Sequence, residues 1–178
     1  MTDHVTIRNL ISESDIALRV STLAGEIVDQ CPGGLLVVVI LKGSFVFAAD
    51  LIRALERAGA APEVDFITLS SYGAGTTSSG EVRLDRDLTG EVAGRNVLIV
   101  DDVLESGRTL VFARQLMVDR GAARVSTCLL LDKDVPRNEP IEADFVGFSI
   151  GTEFVVGYGL DLAHLYRGLP YIGVVQKK

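Results

Sequence analysis

The chain has 178 residues, the usual size of one domain, and 48% of them are apolar while 23% are charged. This composition excludes a disordered or fibrous chain and predicts a packed globular core. A net charge of −7 at pH 7 argues against a nucleic-acid partner, because nucleic-acid binders usually carry a basic surface.

Helical periods alternate with short apolar runs along the chain. A capping box at Ser12–Asp15 opens a helix whose apolar face runs from Ile16 to Ile27. The other predicted elements are, in order, strand Leu35–Leu41, a helix from Phe45 to near Gly59, strands Val64–Leu69, Glu81–Asp85 and Asn96–Val100, helix Gly107–Arg120, and strands Val125–Leu131, Phe145–Ile150 and Phe154–Tyr158. This alternation predicts an α/β fold with a parallel sheet covered on both faces, whose ligands gather beyond the carboxyl ends of the strands.

No segment has the pattern of a membrane span or a secretory signal. The longest unbroken apolar run is Leu35–Leu41, whereas a membrane-spanning helix needs about 20 residues. The N-terminus is mixed polar, and the two cysteines, Cys31 and Cys128, show no metal-ligand spacing. We therefore expect a cytoplasmic protein with reduced core thiols and no membrane partner.

Two acids directly follow the strand at Asn96–Val100. Because neighbouring side chains on a strand point to opposite sides, Asp101 and Asp102 face one ligand together only if the chain turns, and we expect the turn to begin there. Such a pair suits Mg²⁺, which prefers oxygen ligands, or the two hydroxyls of a ribose. A pair of solvated loop acids is the alternative. Acids at a strand end also occur in nucleotide triphosphatases, but the phosphate-binding loop of those proteins, GxxxxGK[ST], is absent from this sequence, which argues against that class.

The next five residues, Glu105-Ser106-Gly107-Arg108-Thr109, lead into a helix. The first amides of a helix are unpaired and attract an anion, and Gly107 allows close approach of the backbone. An ordinary helix start capped by Ser106 is the alternative. The combination of strand, two acids and this helix entry is more specific than either half, and it predicts a phosphate site beside a metal or ribose site.

Five stretches, in the same order, resemble the hypoxanthine-guanine branch of the type I phosphoribosyltransferases. They are LKGSFVFAADL (41–51), SSYGAGTTSSGEV (70–82), VLIVDDVLESGRTL (97–110), LLLDK (129–133) and DFVGFSIGTEFVVGYGLDLAHLYRGLPYIGVV (144–175). The resemblance implies one domain over residues 1–178, with a mostly parallel twisted sheet flanked by helices as its core, at about 35–135. A small hood over the base site would come from the N-terminal segment and about 136–178.

The resemblance also assigns the phosphoribosyl half of the site. Lys42, Gly43 and Arg167 would bind pyrophosphate, and the resemblance leaves open whether the Leu41–Lys42 peptide bond is cis or trans. Ser71 and Tyr72 would belong to a lid that closes over the reacting centre. Asp101 and Asp102 would hold the ribose hydroxyls, directly or through Mg²⁺. The 5-phosphate would be bound by Glu105, Ser106, Gly107, Arg108 and Thr109.

On the base side, the resemblance implies that Lys133 donates to the purine carbonyl oxygen, that Phe154 stacks on the base and that Val155 contacts it through its backbone. Asp161 would lie beside the base and bind a second Mg²⁺. The implied reaction transfers the phosphoribosyl group from phosphoribosyl pyrophosphate to N9 of hypoxanthine or guanine. The resemblance further suggests a homodimer or homotetramer. From the residues alone, Phe154 reads as a core residue and Arg167 as a surface residue.

The sequence departs from the family pattern at three sites, which comprise four residues. Glu105 stands where the family commonly has Asp, the carboxylate thought to lie near N7 of the purine as the catalytic proton acceptor, and we expect Glu105 to keep that role. Gly151-Thr152 replaces a frequent Pro-Asp, and Leu162 replaces a frequent aromatic residue. Two alternatives follow: a phosphoribosyltransferase for another base, such as xanthine or a pyrimidine, and a regulatory relative that binds RNA.

Overall fold

The computed structural model of the chain describes residues 5–31, 33–71, 82–137 and 139–176. In chain order its elements are β1 (Thr6–Ile11), α1 (Glu13–Gln30), β2 (Leu35–Leu41), α2 (Phe45–Arg57), β3 (Glu63–Ser71), β4 (Val82–Arg86), β5 (Asn96–Leu104), α3 (Arg108–Asp119), β6 (Arg124–Lys133), β7 (Phe145–Ile150), β8 (Val155–Val156) and β9 (Ile172–Gln176). None of the helices described is both long and apolar enough to cross a bilayer.

Six strands form the central sheet, in the order β4-β3-β2-β5-β6-β7. All neighbours pair in parallel except β3 and β4, which pair antiparallel. The α/β class, the parallel sheet and the returning strand predicted near residues 81–85 are therefore confirmed. The carboxyl ends of β2, β5 and β6 lie at one edge of this sheet, so the residues that follow them come close together.

Alternate residues of β2 pack into two separate cores. Val37 and Val39 face α1 and α2, whereas Val38 and Ile40 face α3, and all four are almost completely buried. This double burial explains the unbroken apolar sequence of β2, since neither face of the strand contacts water.

The predicted cap of α1 is also confirmed, because the Ser12 hydroxyl accepts a hydrogen bond from the Asp15 amide at 3.2 Å.

The strand β5 is longer than the sequence indicated. We expected the chain to turn at Asp101, but β5 continues to Leu104, and this prediction was wrong. The reason is the neighbouring strand: Asp101 pairs with Leu129, and the ladder continues to Leu104 opposite Asp132. Since β6 itself extends to Lys133, it provides backbone partners for a longer β5. The turn lies instead between β5 and α3.

A second, three-stranded sheet has the order β1-β9-β8 and was not predicted. Its strands β1 and β9 pair antiparallel, with Thr6 opposite Gln176. The strand predicted at Phe154–Tyr158 contains only the two residues of β8. It ends there because Gly157 and Tyr158 both adopt positive φ, and a Cβ at Gly157 would overlap the Tyr171 carbonyl oxygen.

The Asp65 carboxylate holds the connection between β4 and β5. It accepts hydrogen bonds from the amide and hydroxyl of Thr89, at 2.7 and 3.0 Å, and from the Gly90 amide at 3.1 Å. Burial acts to raise the pKa of Asp65, but the hydrogen bonds from the Phe66, Thr89 and Gly90 amides outweigh it, so the pKa is lowered. The charged carboxylate is therefore the form that stabilises the fold.

Replacing Asp65 by asparagine is expected to lower the free energy of unfolding by about 1–2 kcal/mol at pH 7. Because the folded pKa is the lower one, this stabilisation is complete above the unfolded pKa and is lost as pH falls through the folded pKa. Urea unfolding at pH 7 and at pH 3 measures it, with Asp29→Asn on the exposed side of α1 as the control. A difference between wild type and D65N that stays constant across this range contradicts the prediction.

Candidate active site at the carboxyl ends of the strands

Residues that follow β2 and those at the end of β5 line one cavity of about 320 Å³. The segment after β2 contributes Lys42 and Gly43. The end of β5, the turn after it and the start of α3 contribute Asp101, Asp102, Glu105, Ser106, Gly107 and Thr109. The structure thus brings together eight of the residues that the sequence singled out. Arg108 is the first residue of α3 and is not among the described residues that line this cavity.

The two acids lie side by side in a poorly hydrated place. Asp101 is only 7% exposed, and its carboxylate accepts a hydrogen bond from the Asp102 amide at 2.9 Å. The Asp102 carboxylate accepts from the Val103 amide at 2.8 Å. Burial raises the pKa of both carboxyl groups, and the nearby Asp102 charge raises the pKa of Asp101 further. A cation bound beside them would remove this cost of burying two negative charges.

The loop after β2 fits tightly against the second acid. A Cβ placed on Gly43 would overlap the Asp102 carboxylate, so only glycine fits at this position with the present geometry. The Leu41–Lys42 peptide bond is cis, a conformation that the sequence had left open. Ser44 is fully buried and donates its hydroxyl to the Ile40 carbonyl. The backbone of residues 41–44 is therefore held against β5.

The turn into α3 forms a cradle with free amides. Gly107 occupies the N-cap position with φ of 81°, and no side chain caps the helix there. The alternative of an ordinary start capped by Ser106 is thus not what the structure has, although the Ser106 hydroxyl accepts a 3.4 Å hydrogen bond from the Arg108 amide. Unpaired amides and the positive end of the helix dipole make this turn suitable for a phosphate group.

A second cavity, of about 420 Å³, shares Lys42, Gly43 and Asp102 with the first and adds Asp161 and Arg167. The Arg167 guanidinium forms an ion pair with Asp161 at 2.7 Å and donates to the Gly159 carbonyl at 2.7 Å. These two residues, which are distant from the acids in sequence, therefore lie at the same opening. Two cationic side chains, Lys42 and Arg167, line this cavity together with acids that include Asp102 and Asp161, a mixture that suits a pyrophosphate group bound with its metal ion.

The residues predicted to bind the base are arranged less compactly. Lys133 ends β6 with a side chain that is 9% exposed, and its Nζ lies 3.3 Å from Oε2 of Glu105. Val155 is buried in β8, while Phe154 is 51% exposed and lines neither of the two cavities. The lid residues cannot be placed: the side chain of Ser71 and all of Tyr72 lie outside the described residues.

Among the residues described, no group of three or more histidine, cysteine or acidic side chains is arranged to hold a metal ion. The donor set is instead the two carboxylates at the end of β5, with Asp161 across the second cavity. Mg²⁺ typically takes one or two carboxylates and completes its shell with water and substrate phosphate. The residues present therefore fit a metal that arrives with a phosphorylated substrate.

Sequence reasoning missed two residues at this site. Gly159 adopts a φ of 105°, and a Cβ there would overlap the Gly43 carbonyl oxygen, so it sets how closely the 157–160 segment approaches the Lys42-Gly43 loop. Arg137 donates a hydrogen bond to the backbone carbonyl of Lys133. The pattern Gly157-Tyr158-Gly159 could have indicated the first. No local pattern points to the second.

The chain matches known proteins along most of its length. The family model described as phosphoribosyl transferase domain matches residues 9–162. The chain is 47% identical over 168 residues to the bifunctional protein TilS/HprT of Listeria monocytogenes, covering 94% of this chain and 26% of that protein. It therefore spans about a quarter of the length of that relative.

Two relatives of similar length match almost from end to end. The hypoxanthine-guanine phosphoribosyltransferase of Bacillus subtilis is 43% identical, over 99% of this chain and 97% of its own. A crystal structure of a hypoxanthine-guanine phosphoribosyltransferase from Bacillus anthracis superposes with a TM-score of 0.89 at 40% identity, covering 96% of this chain and 100% of that one. By the extent of these matches and by its fold, the chain belongs to the phosphoribosyltransferase family.

Proposed function

We propose that this protein transfers the 5-phosphoribosyl group from phosphoribosyl pyrophosphate to N9 of hypoxanthine or guanine, forming IMP or GMP and pyrophosphate. The reaction belongs to purine salvage, and its enzyme class is that of the pentosyltransferases. The observation that carries the proposal is the meeting of a buried and a partly buried acid, a helix-start cradle and the Lys42-Gly43 loop around one cavity of about 320 Å³. The relatives named above support the choice of substrates.

In this proposal the donor lies across both cavities. The cradle at residues 105–109 binds the 5-phosphate, and Asp101 and Asp102 hold the ribose hydroxyls. Lys42, Gly43 and Arg167 bind the pyrophosphate, whose departure leaves an oxocarbenium-like sugar. Fixing the donor and the base in line lowers the barrier by several kcal/mol, because the two reactants no longer have to find one another in solution. Ser71 and Tyr72 are proposed to exclude water when the lid closes.

Mg²⁺ is the cofactor that these residues fit, with Asp101 and Asp102 at one ion and Asp161 at a second. Bound there, it would supply positive charge to the leaving pyrophosphate. Arg167 already pairs with Asp161 in the structure, at 2.7 Å, so this arginine orients the acid and also brings its own charge to the pyrophosphate side.

The base is proposed to lie between Lys133 and Phe154. The ammonium of Lys133 donates to the 6-oxo oxygen, which favours hypoxanthine and guanine over adenine. Phe154, whose ring is 51% exposed, stacks on the purine, and Val155 and Asp161 contact its edge. Glu105 accepts the proton at N7. The Lys133 ammonium lies 3.3 Å from the Glu105 carboxylate, and this short distance supports the proposal that both side chains face the same edge of the base.

A substrate panel tests the proposal. With phosphoribosyl pyrophosphate and Mg²⁺, we expect nucleotide formation from hypoxanthine and guanine, weak formation from xanthine and none from adenine. Chromatography of the reaction products measures how much of each nucleotide is formed. Omitting Mg²⁺ or adding a chelator should abolish turnover. If none of the four purines gives a nucleotide, the proposed function is wrong. A preference for xanthine would show that the protein is a phosphoribosyltransferase for that base instead. Retention of RNA by the protein on a filter at low salt would favour the RNA-binding regulatory alternative.

We further propose one domain over residues 1–178, in which a core at about 35–135 carries the phosphoribosyl half of the site. The N-terminal segment and residues from about 136 form a hood over the base, an arrangement that the pairing of β1 with β9 supports. A cytoplasmic location is supported by the two unpaired, buried cysteines. By analogy with its family the protein is proposed to be a homodimer or homotetramer, which sedimentation velocity distinguishes.

A further inference from the structure

We infer that Arg137 is a positioning residue for base recognition, because it fixes the backbone at Lys133 and so aims that ammonium at the purine. This inference rests on the proposed function, since it presumes that Lys133 binds the 6-oxo group. Arg137 lies in the segment between β6 and β7, and it is assigned no contact with substrate.

The guanidinium of Arg137 binds three acceptors, which lie at both ends of the segment between β6 and β7. It forms an ion pair with the Asp132 carboxylate and donates to the Lys133 carbonyl at 3.4 Å. Its other terminal nitrogen donates to the Ile141 carbonyl at 3.1 Å. The planar fork of arginine can bind several fixed acceptors at once, whereas the single ammonium of lysine cannot reproduce this geometry. The contact to Lys133 is direct, on the backbone of the residue whose side chain faces Glu105.

The far end of this segment is fixed against the phosphate cradle. The Glu139 amide donates to the Ser106 carbonyl at 3.3 Å. A Cβ on Gly107 would come within 2.9 Å of the Ile141 side chain and 3.0 Å of the Glu139 carbonyl. Ile141 therefore packs closely against the cradle, and Arg137 connects its carbonyl to that of Lys133 at the end of β6. Lys133 also pairs with Ile150 of β7, and its carbonyl accepts from the Val135 amide at 3.0 Å, so Arg137 adds a further contact to this last residue of the strand.

The burial of Arg137 has a cost that packing alone does not explain. Its side chain is 21% exposed, and its Nε is buried without a hydrogen-bond partner among the described residues. A buried donor left unpaired destabilises a fold, so an apolar residue would satisfy a purely structural need better. An arginine at this position is explained if the carbonyls of Lys133 and Ile141 must be held in fixed positions relative to each other.

The chain provides a matched control in Arg19 of α1. This arginine also donates to two backbone carbonyls, those of Gly147 at 3.1 Å and Val146 at 2.7 Å, and it pairs with Glu26. Its side chain is 27% exposed, close to the value for Arg137. It supports the outer side of β7, away from the cavities of the site. Removing Arg19 therefore tests loss of a similar structural clamp without a change at Lys133.

The experiment compares Arg137→Gln, Arg137→Lys and Arg19→Gln in steady-state kinetics, with the melting temperature of each. We expect Arg137→Gln to raise KM for hypoxanthine and guanine about 10-fold, as when one charged hydrogen bond is weakened, with KM for phosphoribosyl pyrophosphate within about twofold of wild type. Arg137→Lys should raise the base KM about threefold, because it keeps the pair with Asp132 and loses the fork. Arg19→Gln should lower the melting temperature similarly and leave both KM values unchanged.

Equal rises of both KM values in Arg137→Gln, or the same split in Arg19→Gln, would overturn the inference. If Arg137→Gln does not fold, a wild-type base KM in Arg137→Lys overturns it instead. Failure of the proposed function looks different, because the wild-type protein itself would then form no nucleotide from any purine.

Discussion

Alanine at Gly43 is expected to lower kcat/KM for phosphoribosyl pyrophosphate about 100-fold. The added methyl group would occupy the position of the Asp102 carboxylate, so that either the Lys42-Gly43 loop or the acid must move. Both line the two cavities at which the donor is proposed to bind. A displacement of about 1 Å at a reacting centre can cost roughly this much in rate. Steady-state kinetics with varied donor concentration measures the effect.

Gly25→Ala is the matched control for this substitution. Gly25 lies within α1, and a Cβ placed there meets no atom within 4 Å. We expect this variant to keep full activity and to gain about 0.5–1 kcal/mol of stability, because alanine loses less conformational freedom than glycine in a helix. Unchanged donor kinetics in a folded Gly43→Ala variant would show that the close contact with Asp102 has no part in catalysis.

Glutamine at Glu105 is expected to lower kcat by a factor of about 100 to 10,000, the usual range for removal of a proton acceptor. KM for the donor should change little, because the amide is nearly the same size as the carboxylate. Glu105→Asp should retain much more activity, since it keeps the acid and only shortens the side chain. If Glu105→Gln is the less active of the two variants, the lost activity is due to the missing proton acceptor and not to a change in side-chain size.

The surroundings of Glu105 are compatible with its proposed role as proton acceptor, despite the longer side chain. Its carboxylate is 58% exposed and meets Lys133 at 3.3 Å, so it is free to turn from this ion pair toward a bound base. Glu142→Gln, at an exposed position in the same part of the chain, controls for the loss of one negative charge. Wild-type turnover in Glu105→Gln would exclude Glu105 as the proton acceptor.

The parts of the fold that were predicted correctly have a strong local signal. The apolar run of β2 and the Ser12 cap of α1 depend on residues adjacent in sequence, and both were located correctly. The strands β1 and β9 were missed because neither alternates cleanly and each is stabilised by the other from the opposite end of the chain. The length of β5 was underestimated for the same kind of reason, since its last residues pair with the extended end of β6.

The candidate site divides along similar lines. Asp101, Asp102 and the helix entry after them could be recognised from residue chemistry, because strand end, acids and cradle are contiguous. Lys133 and Phe154 were assigned only through resemblance to a family, since an isolated lysine or phenylalanine has no chemical signature. Arg137 could not be found from sequence at all. Its role depends on where the carbonyls of Lys133 and Ile141 come to lie in space.

The pairing of β1 with β9 has a consequence for biosynthesis. Thr6 lies opposite Gln176, so the three-stranded sheet joins a strand that precedes the central sheet in sequence to one that follows it. The residues of the central sheet are all translated before β9 and can pair while the ribosome is still working, whereas β8 must wait for its own partner, β9. Contacts between such distant segments form slowly. Under the proposed function, Lys133 belongs to β6 and Phe154 directly precedes β8, so the two sides of the base site would come together only after β9 has been translated and has paired with β8.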